Sequence, residues 1–511
     1  MAGAMRQGES RTEHRGSPWL PKAPLQVGFT RHFALLDYRL ELSSFGVMLS
    51  PSIFKAYDIR GVVDDTLRPE DVFQIGRALA SEAFDRGFGS FVVGRDGRLS
   101  GPRLLAALVE GLRASGADVI DLGMVATPMV YFGTETLDAR CGVMVTGSHN
   151  PPDYNGLKMV VGNEALYSES ILALYQRILR EDFVEGAGGY RELDIGSDYI
   201  ARIARDIKLK VPLSIVVDCG NGVAGAFAKK LYEAIGCSVK ELFCEVDGTF
   251  PNHHPDPADP HNLEALIASL KNGDGEIGLA FDGDGDRLGV VTRAGEIIFP
   301  DRQLMMFAED VLSRVPGASI IFDVKCTRNL APSIRRAGGQ PLMWKTGHSL
   351  VKAKLRETGA PLAGEMSGHM FFKERWYGFD DGLYAGARLL EILSAEKASG
   401  HSIDAKLEAL PNSVSTPELQ LKLAEGENID VIDRLQRVAH ATFASAGADN
   451  IHLIDGVRVD YPDGFGLARA SNTTPVIVLR FEGDDKQALT RIQTAFRNIL
   501  LELKPDAVLP F

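Results

Sequence analysis

Asp282-Gly283-Asp284-Gly285-Asp286-Arg287 follows directly on the apolar run Ile277-Gly278-Leu279-Ala280-Phe281. Three carboxylates in one short turn repel one another, and without a counter-charge they extend the loop or raise each other's pKa. A hard divalent cation with oxygen ligands removes the conflict. Mg²⁺ suits such a site when a phosphate oxygen completes the ligand set. The glycines let the turn close tightly enough for Asp282, Asp284 and Asp286 to converge. A calcium-binding EF-hand loop also opens Asp-x-Asp-x-Asp, but it requires Gly at its sixth position and Glu at its twelfth. Arg287 and Arg293 stand there instead. A solvated acidic turn is the plain alternative.

Ser148, in Thr146-Gly147-Ser148-His149-Asn150-Pro151, lies at a strand end where the chain must turn. An exposed serine there can carry a phosphoryl group, whose dianion would be a further hard ligand for the cation. A turn-capping serine is the alternative. A hydrolase triad is disfavoured, because Gly-x-Ser-x-Gly is absent and His149 cannot easily reach back to its neighbour. Lys158 and Arg60 each lie within two residues of a glycine, so they can project from loops toward phosphates or remain solvated charges. Gly364-Glu365-Met366-Ser367-Gly368-His369 groups an acceptor, a hydroxyl and an imidazole around two glycines. If this stretch is a strand, Glu365 and Ser367 share one face and suit vicinal sugar hydroxyls. A bulge with satisfied polar groups is the competing reading. Arg469-Ala470-Ser471-Asn472-Thr473-Thr474-Pro475 joins a guanidinium to hydroxyls and an amide, a set that fits a phosphate or an ordinary turn. Lys325 and His348 fall at further strand or loop tips. His253-His254-Pro255-Asp256 resembles metal spacing, but its prolines favour a rigid structural loop.

The elements that must position these residues alternate. Apolar runs at 90–94, 119–122, 142–145, 215–217, 279–281 and 320–322 read as strands. Helical spacing follows at 104–114, 223–235 and 329–337. The pattern predicts α/β units with largely parallel sheets, a degenerate repeat of one unit. Ligands in such sheets bind beyond the carboxyl ends of the strands, where these motifs sit. After Pro411 the pattern predicts strands at 416–423, 457–460, 466–469 and 476–481, with helices at 431–440 and 486–503, a small α+β domain with an antiparallel sheet.

The chain has 511 residues, enough for three or four domains at about 150 residues each. Its net charge of −13 disfavours non-specific binding to nucleic acid or anionic membrane, without forbidding an anionic substrate in a local basic site. Five cysteines with no Cys-x-x-Cys pair predict buried, reduced thiols. No apolar run approaches the ~20 residues that span a bilayer. Residues 1–48, rich in Arg, Gly and Ser near the start, read as a disordered N-terminal extension, with Met48 a plausible true start and a short helix at 33–42.

Taken together and in this order, Thr-Gly-Ser-His-Asn-Pro, Asp-Gly-Asp-Gly-Asp-Arg, Gly-Glu-Met-Ser-Gly-His and Arg-Ala-Ser-Asn-Thr-Thr-Pro closely resemble the motifs of the α-D-phosphohexomutase superfamily. The similarity is greatest to its bacterial members that take both mannose and glucose phosphates, and it covers 49–511. It implies a four-domain architecture, three related mixed α/β domains plus a smaller α+β C-terminal domain around a central cleft. The expected bounds are 49–194 with the phosphoserine loop, 195–296 with the metal loop, 297–410 with the sugar-recognition loop and 411–511 with the phosphate-binding loop. Ser148 then matches the phosphorylated serine and, with Asp282, Asp284 and Asp286, the Mg²⁺ ligands. Arg287 matches the adjoining arginine. Glu365, Ser367 and His369 match the sugar reader, and Arg469, Ser471, Asn472 and Thr473 the phosphate loop. Tyr57, Arg60, His149, Lys158, Lys325 and His348 match cleft-lining positions. The implied activity is reversible conversion of hexose 1-phosphate and hexose 6-phosphate, with glucose 1,6-bisphosphate as activator, in a cytoplasmic monomer. His149, Lys158 and His369 stay open as general bases. Three alternatives are carried: a phosphoglucosamine mutase of the same superfamily, a non-catalytic cation or sugar-phosphate binding module, and a penicillin-binding acyl-serine enzyme. The last rests on Ser52-x-x-Lys55, Ser148-x-Asn150 and Lys345-Thr346-Gly347, and leaves the acidic loop unexplained.

Overall fold

A computed structural model describes residues 49–472 and 474–511. The expected extension at 1–48, its helix at 33–42, and Thr473 lie outside the described residues. Four sheets follow one another along the chain. In the first, Cys141–Val145, Ser90–Arg95, Asp118–Met124 and Tyr190–Glu192 run parallel, while Tyr154–Val161 and Ile59–Val62 are added antiparallel. In the second, Ile277–Phe281, Ser214–Asp218 and Ser238–Leu242 are parallel, and Leu288–Thr292 and Ile297–Ile298 return antiparallel. In the third, Gln340–Trp344, Ser319–Asp323 and Leu362–Gly364 are parallel and Met370–Phe372 returns antiparallel.

The sheets are therefore mixed rather than largely parallel. The antiparallel returns come immediately after the motif loops. A chain that turns back at a strand tip must pair antiparallel with the strand it has just left. The central parallel strands are apolar because both faces are covered, whereas the edge strands Ser238–Leu242 and Tyr190–Glu192 are polar and largely exposed. Ile277–Phe281 is buried at every position.

The fourth sheet is antiparallel throughout: Val414–Ser415, Val476–Gly483, Gly464–Ala470, Val457–Tyr461 and Asn450–His452, with Leu419–Lys422 also on Val476–Gly483. The strand expected at 416–423 is shorter because Pro417 has no N–H to give to a ladder. The helix expected at 223–235 is broken. A 3₁₀ turn, Val223–Ala226, precedes the α-helix Ala228–Ala234. The Val223 N–H, at the start of the turn where it has no helical acceptor, bonds the Gly283 carbonyl at 3.1 Å.

One continuous apolar core runs from Val92 to Leu410 through the first three sheets. The C-terminal sheet and its helices Glu427–Ala444 and Lys486–Leu503 enclose a separate core. Cys141, Cys219, Cys237 and Cys326 are buried, Cys244 is half-buried, and all five are free thiols. Among the described residues no helix is long and apolar enough to cross a membrane.

Candidate active site

The strand Cys141–Val145 delivers Ser148 to a buried loop, where its φ is +50°. That left-handed conformation disfavours a residue with a Cβ. Local bonds hold it: the Ser148 N–H donates to Thr146 Oγ1 at 2.7 Å, and the Thr146 hydroxyl donates to Asp96 Oδ2 at 2.7 Å. The acidic loop packs directly against this turn. A Cβ on Gly283 would lie 2.3 Å from the Ser148 carbonyl oxygen, so glycine is required there. The result places Ser148 Oγ 3.1 Å from Asp282 Oδ2 and 3.3 Å from His149 Nδ1.

Asp282, Asp284 and Asp286 are fully buried, and each offers a carboxylate oxygen within 4.8 Å of the others. Asp282 Oδ1 accepts the N–H groups of Gly285, Asp286 and Arg287 at 3.1, 3.1 and 3.2 Å, and the Arg287 Nε donates to Oδ2 at 2.9 Å. Asp284 Oδ2 accepts from Thr127 Oγ1 at 2.5 Å and from Lys158 Nζ at 2.7 Å, and Lys158 also bonds Asp286 Oδ2. Asp284 Oδ1 is buried with no hydrogen-bond donor among the described residues, and Asp286 Oδ1 is faced by His369 Nε2 at 3.4 Å. Buried carboxylate oxygens without donors are costly. An all-oxygen set of this kind fits a hard divalent cation.

Burial disfavours the charged form of Lys158, but Asp284 and Asp286 outweigh it and hold its pKa well above the ordinary lysine range. That is the opposite of the lowered pKa a lysine base needs. Three histidines surround the loop in different states. Burial, with Arg287, Arg60 and Lys158 beside it, holds His149 well below its usual value. Burial and Lys352 do the same to His348. Burial opposes charge on His369 too, but Asp286 and Glu365 prevail and lift it to about 10.

Glu365 to His369 form a turn between Leu362–Gly364 and Met370–Phe372, not the strand that would put Glu365 and Ser367 on one face. Gly368, at φ +102°, bends the chain there. The turn is fastened to the metal loop: the Leu288 N–H donates to the Gly368 carbonyl at 3.3 Å, and His369 Nε2 lies 3.4 Å from Asp286 Oδ1. Ser367 Oγ bonds His369 Nδ1 at 2.9 Å. Glu365 Oε1 accepts the Gly347 N–H at 2.6 Å, beside His348, whose ring stacks on His369 with centroids 5.5 Å apart.

The remaining candidates join the same network from other elements. Tyr57 donates its hydroxyl to the Thr346 carbonyl at 2.8 Å and accepts from Asn472. Arg60 donates to Asn150 Oδ1 at 2.9 Å and pairs with Asp58. Arg469 is held by Asp455 at 3.0 Å, and the same Asp455 oxygen takes the Thr346 N–H at 3.0 Å. Ser471 Oγ lies 3.0 Å from Thr474 Oγ1. Lys325 is paired at 2.9 Å with Glu418 from the C-terminal domain. His253 is occupied by Asp218 at 3.0 Å and by the His254 carbonyl, which makes the His-His-Pro-Asp segment structural.

Sequence reasoning missed Asp96, Arg98 and Asp380, and it read Asp256 only as part of the His-His-Pro-Asp loop. Asp256 accepts from Arg287 Nη1 at 3.3 Å. Asp380 is fully buried and bonds Lys352 at 2.8 Å beside His348 and His369. For Asp96 and Arg98 the signal was present: Gly94-Arg95-Asp96-Gly97-Arg98 is one more glycine-bearing strand tip.

Comparison with known proteins gives a consistent picture. The chain matches the models for phosphoglucomutase/phosphomannomutase alpha/beta/alpha domains I, II and III over residues 51–185, 197–295 and 299–413, and for the C-terminal domain over 418–499. It is 56% identical over 463 residues to a phosphomannomutase/phosphoglucomutase of Pseudomonas aeruginosa, covering 91% of this chain and 98% of that protein. It is 56% identical over 465 residues to a phosphoglucomutase of Neisseria meningitidis, covering 90% of this chain and 99% of that one. A crystal structure of a phosphoglucomutase/phosphomannomutase family protein from Burkholderia thailandensis superimposes with a TM-score of 0.86 at 60% identity, covering 91% of this chain and all of that one. With all four domain models matched in chain order and relatives aligned along nine-tenths of its length, this chain belongs to the phosphoglucomutase/phosphomannomutase family of the α-D-phosphohexomutases.

Proposed function

We propose that this chain interconverts the 1- and 6-phosphates of glucose and mannose, with Ser148 as the residue that carries the phosphoryl group. The observation that bears most weight is the position of Ser148 Oγ, 3.1 Å from Asp282 in a loop whose three buried carboxylates converge within 4.8 Å. Asp282, Asp284, Asp286 and phosphorylated Ser148 would hold Mg²⁺. That ion, when bound, supplies positive charge for in-line transfer. The free hydroxyl of a hexose phosphate attacks the phosphorus, the bond to Ser148 Oγ breaks, and the hydroxyl proton leaves to a base. The hexose 1,6-bisphosphate so formed turns end for end, and its other phosphate restores phosphoserine.

Arg60, Lys158 and Arg287 offset charge at this station. Arg469, Ser471, Asn472 and Thr473 hold the phosphate that is not reacting, with Tyr57, Lys325 and His348 around it. Glu365, Ser367 and His369 read hydroxyls common to glucose and mannose, in both orientations of the sugar. Glucose 1,6-bisphosphate serves as activator by priming Ser148. The reading includes a cytoplasmic monomer with domains at 49–194, 195–296, 297–410 and 411–511.

Mass-spectrometric mapping of the purified protein is expected to find phosphate on Ser148. Ser148→Ala is expected to lose turnover with both glucose 1-phosphate and mannose 1-phosphate in a bisphosphate-primed coupled assay. Full activity in that variant would refute the reading, and preferential turnover of glucosamine 6-phosphate would favour the phosphoglucosamine alternative.

A further inference from the structure

We infer that Arg98, braced by Asp96, is a positioning residue for phosphoryl transfer: it fixes the backbone of the Ser148 loop in the left-handed turn that aims Oγ at Asp282. Arg98 comes from the tip of the neighbouring strand Ser90–Arg95, and its side chain is wholly buried. Its guanidinium is a spool around which the loop is wound. Nη2 donates to the carbonyls of Ser148 at 2.8 Å and Asn150 at 2.5 Å. Nη1 donates to the carbonyls of Tyr154 at 2.9 Å and Pro151. Nε faces Asp96 Oδ2 at 3.3 Å. That same carboxylate oxygen takes the Thr146 hydroxyl at 2.7 Å and the Gly147 N–H at 3.3 Å, while Oδ1 takes the Arg98 N–H at 3.0 Å. A Cβ on Gly147 would lie 2.5 Å from Arg98 Cζ, so the loop closes around this group with no room for a side chain.

One rigid, planar fork thus gathers the carbonyls of Ser148, Asn150, Pro151 and Tyr154, of which Pro151 also accepts the Tyr154 N–H at 3.1 Å. Lysine cannot reproduce that pattern, having three donors on one atom and no plane. Among the described residues Arg98 bonds the Ser148 loop at its carbonyls and not at Ser148 Oγ, so its influence runs through the backbone.

The inference rests on the proposed role of Ser148, and its test is built to separate the two. Arg98→Lys keeps the charge and loses the fork. It is expected to lower kcat about 100-fold with KM for glucose 1-phosphate changed less than about threefold, because misplacing the reacting group costs rate while the sugar and distal phosphate are held elsewhere. Arg98→Ala is expected to behave likewise and to recover part of its kcat when guanidinium ion is added at concentrations too low to denature the protein. Both variants are expected to keep a cooperative thermal transition. A kcat near that of the unmodified protein, a rise in KM alone, or loss of the cooperative transition in both variants would overturn the inference, the last by showing that Arg98 serves the domain rather than the loop. Absence of phosphate from Ser148 in the unmodified protein would instead refute the proposed function.

Discussion

The three imidazoles around the acidic loop, and His253 outside it, show how neighbours, not residue type, decide charge. His149 and His348 lie among cations and are held neutral by burial, while His369 between Asp286 and Glu365 is held charged. His253 is the structural counterpart. Burial lowers its pKa, but the bond to Asp218 more than compensates, and the net direction is upward. The sign of the pH dependence follows. The folded state holds the proton more tightly than the unfolded chain, so the contribution of this pair is full below the unfolded histidine value and is lost as pH rises through the raised folded value. His253→Gln is expected to cost about 1.5–3 kcal/mol at acidic to neutral pH, the range for a hydrogen bond to a charged group, and progressively less at alkaline pH. Urea denaturation of both proteins from mildly acidic to alkaline pH reads this directly. A difference in stability that does not shrink with rising pH would rule out the ion pair as its source.

At the level of elements, chemistry is carried by the turn that joins a parallel strand to its antiparallel return. Val145 leads to Ser148 and back through Tyr154–Val161, Phe281 leads to the acidic loop and back through Leu288–Thr292, and Gly364 leads to Glu365 and back through Met370–Phe372. The first two of these turns are stacked through Gly283. Gly283→Ala puts a methyl against the Ser148 carbonyl and against Pro255, so the loops must part. It is expected to destabilise the protein by about 1–3 kcal/mol and to lower kcat more than it raises KM. Thermal denaturation and steady-state kinetics together test this, and an unchanged kcat would show that the loops tolerate separation.

This packing explains what could be read in advance. The acidic loop was legible because its three carboxylates alternate within five residues and repel one another. The strands carrying the loops were legible because burial on both faces leaves continuous apolar runs. Arg98 stands at a glycine-bearing strand tip like the others, but its partners were not legible, because backbone carbonyls at 148–154 have no side-chain signature. The sequence left 365–369 open between strand and bulge because alternation of Glu365 and Ser367 fits either, and the positive φ of Gly368 makes it a turn. Pro417 was visible, yet its effect on the expected strand was overlooked.

Across the whole molecule, the first three sheets share one apolar core while the C-terminal unit has its own. Strand Val476–Gly483 shows how the two are joined. Ile477, Leu479 and Phe481 point into the C-terminal core, whereas Arg480 and Glu482, which alternation would assign to solvent, are buried against the third domain. Arg480 donates to the Lys325 carbonyl at 2.6 Å, Glu482 accepts the Thr327 hydroxyl at 2.9 Å, and Arg458 donates to the carbonyls of Val324 at 2.7 Å and Cys326 at 2.6 Å. A docking face rich in polar bonds, with a small apolar centre of Val324, Phe465 and Leu467 flanked by Met343 and Ile454, permits motion between units more readily than a shared core does. It also grips the segment that carries Lys325. Arg458→Met strips donors from two buried carbonyls, a cost of about 1–3 kcal/mol for each. Because the C-terminal core is untouched, the expected result in calorimetry is that its unfolding separates from that of the first three domains, with activity falling as the Arg469 loop is carried away from the Ser148 station. A single transition shifted downward, with activity intact, would mean that docking and folding of the four domains are one event and that this face is no hinge.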